Sequence, residues 1–313
     1  MSDPRVHAID NFTRTTHSSP GPTLPPPSNP PPNFTACIIG AARGIGAGIA
    51  LSYARAGASA LVLATRLSSL PTLSTIVTQL ASLSPSTSVY VHAVDVADAS
   101  SMRALAAFAK EKLRSADTGA PRLDVVALNS GYSGNVHLKV TDGDAAADGE
   151  WARAFGVNAL GTYHVAHYFI PLLLGSPAGS AKVFAVVGTV GACIRRGIIA
   201  NSKYCISKMA QVRIVEHVAE QFGDEGVLAV AVHPGAVDSE MARETAPEEF
   251  KKYLVDDPEL CGAFLVWLTR QSHELKWLNG RLLSANWDPD ELLERKDDVI
   301  NGDLLKFEAR TTL

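Results

Sequence analysis

Ala36-Cys37-Ile38-Ile39-Gly40-Ala41-Ala42-Arg43-Gly44-Ile45-Gly46 sets the architecture of this chain. Four apolar residues in a row, closed by a glycine, read as a strand buried on both faces of a parallel sheet. The pattern that follows, with Ile49 and Tyr53, reads as a helix. Glycines at 40, 44 and 46 permit a tight turn and a close approach of backbone to a pyrophosphate, which the free N–H groups and positive dipole end of the new helix would hold. A glycine turn alone could serve only a tight strand–helix connection. The strand before it and the helix after it favour a dinucleotide.

Outward from this unit, short β-rich runs recur at Ala60–Ala64, Val89–Ala93, Asp124–Leu128, Lys182–Val187, Val227–Val232 and Arg281–Ser284. Helical patterns lie between them. Leu73, Ile76, Val77 and Leu80 follow Pro71; Met102, Leu105, Ala106, Ala109 and Leu113 mark a second stripe; Trp151–Leu174 and Lys203–Phe222 supply two longer helices. Strands alternating with helices predict an α/β protein: a single doubly wound domain with a seven-stranded, mainly parallel sheet. Its expected limits are 34–285, followed by a C-terminal extension over 286–313. Residues 1–33 hold nine of the 18 prolines. Proline supports neither helix interiors nor sheet ladders, so this tail is expected to be disordered or extended, either solvated or a docking arm.

Composition removes other classes. Of 313 residues 46% are apolar and 19% charged, and 28 Lys and Arg against 32 Asp and Glu leave a net charge of −4. That is neither a footprint for nucleic acid nor a polybasic membrane anchor. No apolar run approaches the roughly 18 residues of a membrane span, and the run around Phe169–Leu174 is broken by Pro171. The amino terminus lacks the compact apolar stretch of a secretory signal. Cys37, Cys193, Cys205 and Cys261 show no CxxC spacing and read as reduced thiols of a cytoplasmic protein. His164, His167 and His233 make no ligand pattern, so no metal is expected.

Tyr204-Cys205-Ile206-Ser207-Lys208 opens the last long helix. Residues four apart share a helix face, so the phenol and the ammonium can point into one cleft. On most helices such a pair is a solvated surface; its place after the fifth strand is what suggests chemistry. A phenol with a pKa of ~10 exchanges protons poorly at neutral pH. Bringing it to ~7 takes roughly 4 kcal/mol of preference for the phenolate, a task for a nearby ammonium in a dry site, helped by an oxidised nicotinamide.

With these marks in order, Thr35–Ala285 resembles the short-chain dehydrogenase/reductase family, whose fold is a Rossmann domain. Gly40, Gly44, Ile45 and Gly46 are similar to its glycine turn, although Ile39 stands where threonine is common. Asp95-Val96, ending the third strand, resembles the aspartate that contacts adenine. Asn129-Ser130-Gly131 resembles the run after strand four, and Asn158 the catalytic asparagine of the following helix. Tyr204 and Lys208 match the Tyr-x-x-x-Lys pair. Pro234, Gly235, Val237 and Ser239 resemble the loop that holds the nicotinamide. His7–Asp10 and the tail from Ala285-Asn286-Trp287-Asp288 are similar to a fungal-type subgroup.

One departure bears on mechanism. The family's serine falls here on Gly191, and the nearest hydroxyl after strand five is Thr189. A longer loop through Arg195-Arg196-Gly197 would bring Thr189 into place, with the same O–H donor on a stiffer side chain; Ser202 is the alternative. Cofactor choice is read at the end of the second strand. Thr65 stands where an acid would take the ribose of NAD, and Arg66 and Arg43 could hold the 2′-phosphate of NADP(H) between two guanidiniums. Both could also be ordinary surface charges.

The resemblance implies an NADP(H)-dependent oxidoreductase interconverting a carbonyl and a secondary alcohol on a small organic substrate of the secondary-metabolite kind. Tyr204 would give the proton, Thr189 polarise the oxygen, Lys208 tune Tyr204 and bind the ribose, and Asn158 hold a relay water. Non-redox chemistry (cyclase, dehydratase or epimerase) and a silent cofactor-sensing role are the alternatives. Tyr132, Ser133, the 190–203 loop and an acid-rich lid at about 238–260 are expected to line the substrate pocket. Apolar residues on more than one face of the two longest helices suggest a homodimer or homotetramer.

Overall fold

Strands apolar at every position must be covered on both faces, and the chain covers them with two helical layers. The computed structural model describes Ile9 and residues 11–21, 34–115, 117–144 and 146–309. The prolines from Pro22 to Pro32 lie outside the described residues. In order, the elements are β1 (Thr35–Ile39), α1 (Gly44–Arg55), β2 (Ala60–Thr65), α2 (Leu70–Leu83), β3 (Ser88–Ala93), α3 (Ala99–Lys112) and β4 (Val125–Leu128). Then come α4 (Glu150–Ala154), α5 (Gly161–Leu174), β5 (Val183–Val187), α6 (Ser202–Phe222) and β6 (Leu228–His233). The chain closes with α7 (Glu240–Thr245), α8 (Glu248–Lys251), α9 (Leu260–Arg270), β7 (Leu282–Ser284), α10 (Pro289–Glu294) and α11 (Lys296–Asn301).

The sheet runs β3-β2-β1-β4-β5-β6-β7, every pair parallel. This is the single Rossmann domain expected from the sequence. Alternate strand residues feed opposite layers. Ala36 and Ile38 pack with Ile49, Tyr53, Leu73, Phe264 and Leu268 of α1, α2 and α9. Cys37 and Ile39 pack with Met102, Val165, Phe169, Val212 and Val215 of α3, α5 and α6. Helices α1 and α9 touch at glycines: a Cβ on Gly262 would lie 2.4 Å from Ser52 Oγ and 2.8 Å from the Gly48 carbonyl. The chain order reverses between β1 and β4, which opens a crevice at the carboxyl ends of the strands.

Three local expectations change. The third strand stops at Ala93, so Asp95 and Val96 follow it in a loop rather than ending it. The helix predicted over Trp151–Leu174 is interrupted by a π-helical turn at Phe155–Leu160. There the Asn158 carbonyl accepts from Thr162 Oγ1 at 2.7 Å and Gln211 Nε2 at 3.2 Å, the kind of diversion that widens a helical turn next to a functional residue. Finally, residues of the N-terminal tail are docked: Thr16 bridges Trp287 in antiparallel fashion, and the Trp287 indole donates to the Ile9 carbonyl at 2.9 Å. Nothing in the composition of the tail announces that contact.

Candidate active site

A cleft of about 2150 Å³ lies over the carboxyl ends of the strands. Of the site residues expected from sequence, all but Gly46 and Asn158 line it. Those two stand just behind the wall. A Cβ on Gly46 would meet the Gly40 carbonyl at 2.0 Å and Asn129 Nδ2 at 2.6 Å, so only glycine lets the turn close on the β4 loop. Asn129 Nδ2 donates to that carbonyl at 2.9 Å. The start of α1 carries no side-chain cap and no acid in its first turn, so its N–H groups and dipole are left to a ligand. These features fit the pyrophosphate of a dinucleotide.

Around this cradle, Thr65 is buried at the end of β2, and Arg66 beside it is exposed. Arg43 Nη1 meets Glu240 Oε2 of α7 at 2.5 Å, across the mouth of the cleft. Asp95 is exposed and accepts from the Ala97 N–H at 3.0 Å, while the Val96 carbonyl is hydrogen-bonded to His164 Nδ1 at 2.9 Å. His164 therefore ties α5 to the cofactor wall.

The reactive corner is built by α6. Thr189 and Tyr204 stand on either side of Gly191, where a Cβ would lie 3.1 Å from Thr189 Oγ1 and 3.7 Å from Tyr204 Cε1. Thr189 lines the cleft with the phenol, whereas Ser202 does not; Ser202 starts α6 and its N–H donates to the His137 carbonyl at 2.6 Å. Thr189 Oγ1 accepts from the Gly191 N–H at 3.0 Å, which fixes its rotamer. Lys208 Nζ donates to the Val187 carbonyl at 2.8 Å and to Gln211 Oε1 at 2.6 Å.

Electrostatics here differ from the sequence expectation. Burial pushes the Tyr204 phenol up to about 12, and burial brings the Lys208 ammonium down to about 7. Desolvation penalises whichever form is charged, and Lys208 is held by Val187 and Gln211. The chain by itself therefore keeps the phenol protonated. Cys205, also in the wall, is raised by burial to about 11, which removes it as a thiolate nucleophile.

Asn158 is fully buried. Its Oδ1 accepts from the Tyr132 N–H at 2.8 Å, while Nδ2 donates to the Tyr132 carbonyl at 2.8 Å and to Ser207 Oγ at 2.9 Å. These bonds clamp the loop after β4 to α6.

Sequence reasoning missed three supports. Gln211, fully buried, links Lys208 to Thr162 Oγ1 (2.8 Å) and to the Asn158 carbonyl. A polar residue on the same inward face as Tyr204, Ser207 and Lys208 was the available signal. Lys203, also fully buried, lies 3.3 Å from Glu150 Oε2 and donates to the Asn135 carbonyl. Glu150 accepts from the Tyr132 hydroxyl at 2.6 Å and from the Asn135 N–H at 2.9 Å. Desolvation opposes the Glu150 charge, but these hydrogen bonds outweigh it and hold the carboxyl below its ordinary range. Asn201 completes the support, accepting from the His137 N–H and donating to the Ser133 carbonyl. Glu150 and Lys203 are 53 positions apart in the chain, so no spacing rule could have paired them.

A parallel sheet with an uncapped glycine turn and a Tyr–Lys pair at the carboxyl ends of its strands defines a Rossmann-type nucleotide-binding protein. Comparison with known proteins narrows the class. Residues 34–249 match the family described as short chain dehydrogenase. Similar chains include the Short chain dehydrogenase citE of Monascus ruber, 38% identical over 272 residues that cover 86% of this chain and 86% of the relative. The Short chain dehydrogenase pgmD of Aspergillus terreus is 30% identical over 308 residues, covering 98% and 96%. Among solved structures, a 7 alpha-hydroxysteroid dehydrogenase complexed with NADH and 7-oxo glycochenodeoxycholic acid shares the fold with a TM-score of 0.67 at 20% identity, over 82% of this chain and 95% of that one. The 3-oxoacyl-acyl-carrier-protein reductase of Brucella melitensis with bound NAD gives a TM-score of 0.63 at 21% identity, over 85% and 94%. The chain belongs to the short chain dehydrogenase family.

Proposed function

We propose that the protein is an NADP(H)-dependent reductase that interconverts a carbonyl and a secondary alcohol on a small, largely apolar organic molecule. The observation that carries this reading is that the Tyr204 phenol and the Thr189 side chain line the cleft side by side next to Gly191, with Lys208 one helical turn on from Tyr204. A reduced nicotinamide, when bound, supplies the hydride. The chain supplies the rest. Tyr204, kept protonated by burial, donates its proton to the carbonyl oxygen. Thr189 polarises that oxygen with a second O–H donor. Lys208, steered by Gln211, would hold the ribose, and Asn158 holds Tyr132 and the β4 loop in register with α6. The family resemblance of the sequence suggests a substrate of the secondary-metabolite kind. Val190, Ile194, Ile198, Tyr253 and Val255 give the cleft apolar walls. Four free cysteines and no helix among the described residues long and apolar enough to cross a membrane fit the cytoplasm as its place. Purified protein screened against ketones and aldehydes, with loss of NADPH absorbance as the signal, tests the reading.

Cofactor preference follows from Arg43 and Arg66. No carboxylate stands at Thr65 to repel a 2′-phosphate, and the doubly charged phosphate competes well with the single exposed carboxylate of Glu240 for Arg43. NADPH should bind more tightly than NADH. Arg43→Ala or Arg66→Ala should weaken NADPH roughly tenfold or more, one charge-assisted hydrogen bond's worth, and leave NADH nearly unchanged. Fluorescence titration with both cofactors checks this; equal affinity for the two would remove the NADP assignment.

Assembly is argued from exposed apolar side chains on the two longest helical segments. Leu160, closing the π-helical turn, and Tyr163 of α5 are 47% and 50% exposed, and Ile206 and Met209 of α6 are 38% and 42% exposed. Such a patch on facing helices suits a second copy. Light scattering at micromolar concentration should give at least twice 33.2 kDa, and Tyr163→Asp with Met209→Asp should give the monomer mass.

A further inference from the structure

The N-terminal arm forms part of the cleft itself. Asn11, Thr16, His17 and Ser18 line it together with Asn286. The arm is anchored on its outer side by many contacts. Phe12 packs on the fully buried Trp287 ring at 4.9 Å and under the Arg295 guanidinium at 3.9 Å. Arg295 also donates to the Phe12 carbonyl at 2.7 Å. Thr15 gives its N–H and its hydroxyl to Glu291, both at 2.9 Å. His17 meets Asp288 at 2.9 Å, and its backbone pairs with Asn286 through the N–H (2.7 Å) and the carbonyl (2.9 Å).

On its inner side the arm makes one contact of consequence: the Ser18 carbonyl accepts from the Asp257 N–H at 2.7 Å. Asp256, the neighbouring residue, holds the loop after β6. Its carboxylate accepts from the Ala236 N–H at 2.5 Å, its own N–H donates to the Ala236 carbonyl at 3.1 Å, and it forms a parallel bridge with Val237. Gly235, at φ +90°, presses on the same carboxylate, where a Cβ would come within 2.5 Å. Past Asp257 the chain is fixed by α1, since a Cβ on Gly48 would meet the Pro258 carbonyl at 2.2 Å. Asp256–Asp257 is thus the point where lid, cofactor loop and arm are joined.

We propose that residues 11–18 are a positioning element of the active site: they hold Asp257, and through Asp256 they fix Gly235 and Ala236 where the nicotinamide half of the cofactor would lie. This rests on the reading of the cleft as an NADP(H) site. Among the described residues, Arg14, Thr15 and Thr16 are bonded to Glu291, Glu294 and Trp287 and Ser18 to Asp257, on the side of the loop after β6, so the effect of the arm is expected on that half of the dinucleotide.

That placement gives the test. In the full-length protein, Phe12→Ala with Glu291→Ala loosens the arm without altering the cleft wall; a chain lacking residues 1–18 is the stronger variant. Each is titrated with NADPH and with adenosine 2′,5′-bisphosphate, which carries the adenosine half alone. Loss of one or two ordering contacts should weaken NADPH roughly tenfold while the bisphosphate stays within about twofold. Trypsin should also cut faster at Lys251 and Lys252 in the lid. Unchanged NADPH affinity, or an equal loss for both ligands, overturns the proposal. If the parent protein instead prefers NADH, the NADP reading fails on its own, and the same split measured with NADH and ADP decides the role of the arm.

Discussion

Tyr204→Phe should reduce carbonyl turnover by roughly 10²- to 10⁴-fold, the range of a positioned general acid, while NADPH affinity and thermal stability stay close to those of the parent. The substitution keeps the ring and removes one oxygen. In the reducing direction the loss should be in kcat, because the proton is needed only as the carbonyl oxygen gains charge. The sign of the pH dependence follows from the site. Burial raises the phenol to about 12, so the acid form persists throughout the neutral range and does not limit reduction there. A change in rate near neutrality would belong to Lys208, whose ammonium burial lowers to about 7 and which loses its charge as the pH rises through that value. Initial rates on an identified carbonyl compound decide the matter, and a Tyr204→Phe enzyme retaining most of its turnover would remove the tyrosine from its role.

Thr189→Val carries the second large effect. Valine matches threonine in shape, so the strand end and its packing should survive, but the donor to the substrate oxygen is lost. Removing one oxyanion donor costs on the order of a hundredfold or more in turnover. Thr189→Ser restores the hydroxyl and should keep substantial activity, although it gives up the rotamer restraint of the β-branched side chain. In the folded protein the hydroxyl is also held by the Gly191 N–H at 3.0 Å, which compensates for part of that freedom. Equal turnover for Thr189→Val and the parent would transfer the role to another group. Ser202 is poorly placed to inherit it, since it starts α6 and does not line the cleft.

The sequence carried the fold because its information is local and periodic. Strands buried on both faces declare themselves by unbroken apolar runs, and glycines between strand and helix declare a turn that no other residue can make. The same locality made the cleft wall legible: Gly40, Asn129, Pro234 and Thr65 line it, each at a strand's carboxyl end, where a parallel sheet gathers its ligand contacts. Spacing on one helix was enough to place Tyr204 and Lys208 together.

What the sequence could not show depends on contacts between distant segments. The π-helical turn at Asn158 is decided by Gln211 of another helix, and the buried charge of Lys203 by Glu150 of a third. The tail before residue 33 reads as disordered or extended, either solvated or a docking arm, because composition reports only what a segment lacks for building its own core. Phe12, Thr15 and His17 find their partners in Trp287, Glu291 and Asp288, which lie more than 270 residues away. The state of the Tyr204 phenol was likewise set by tertiary structure. A Tyr–Lys spacing predicts proximity, but desolvation by the surrounding wall, and the carbonyl and amide that hold Lys208, decide which proton stays. Local pattern determined which residues surround the cleft; burial and long-range hydrogen bonds, which exist only once the chain is closed, decided how those residues are held and charged.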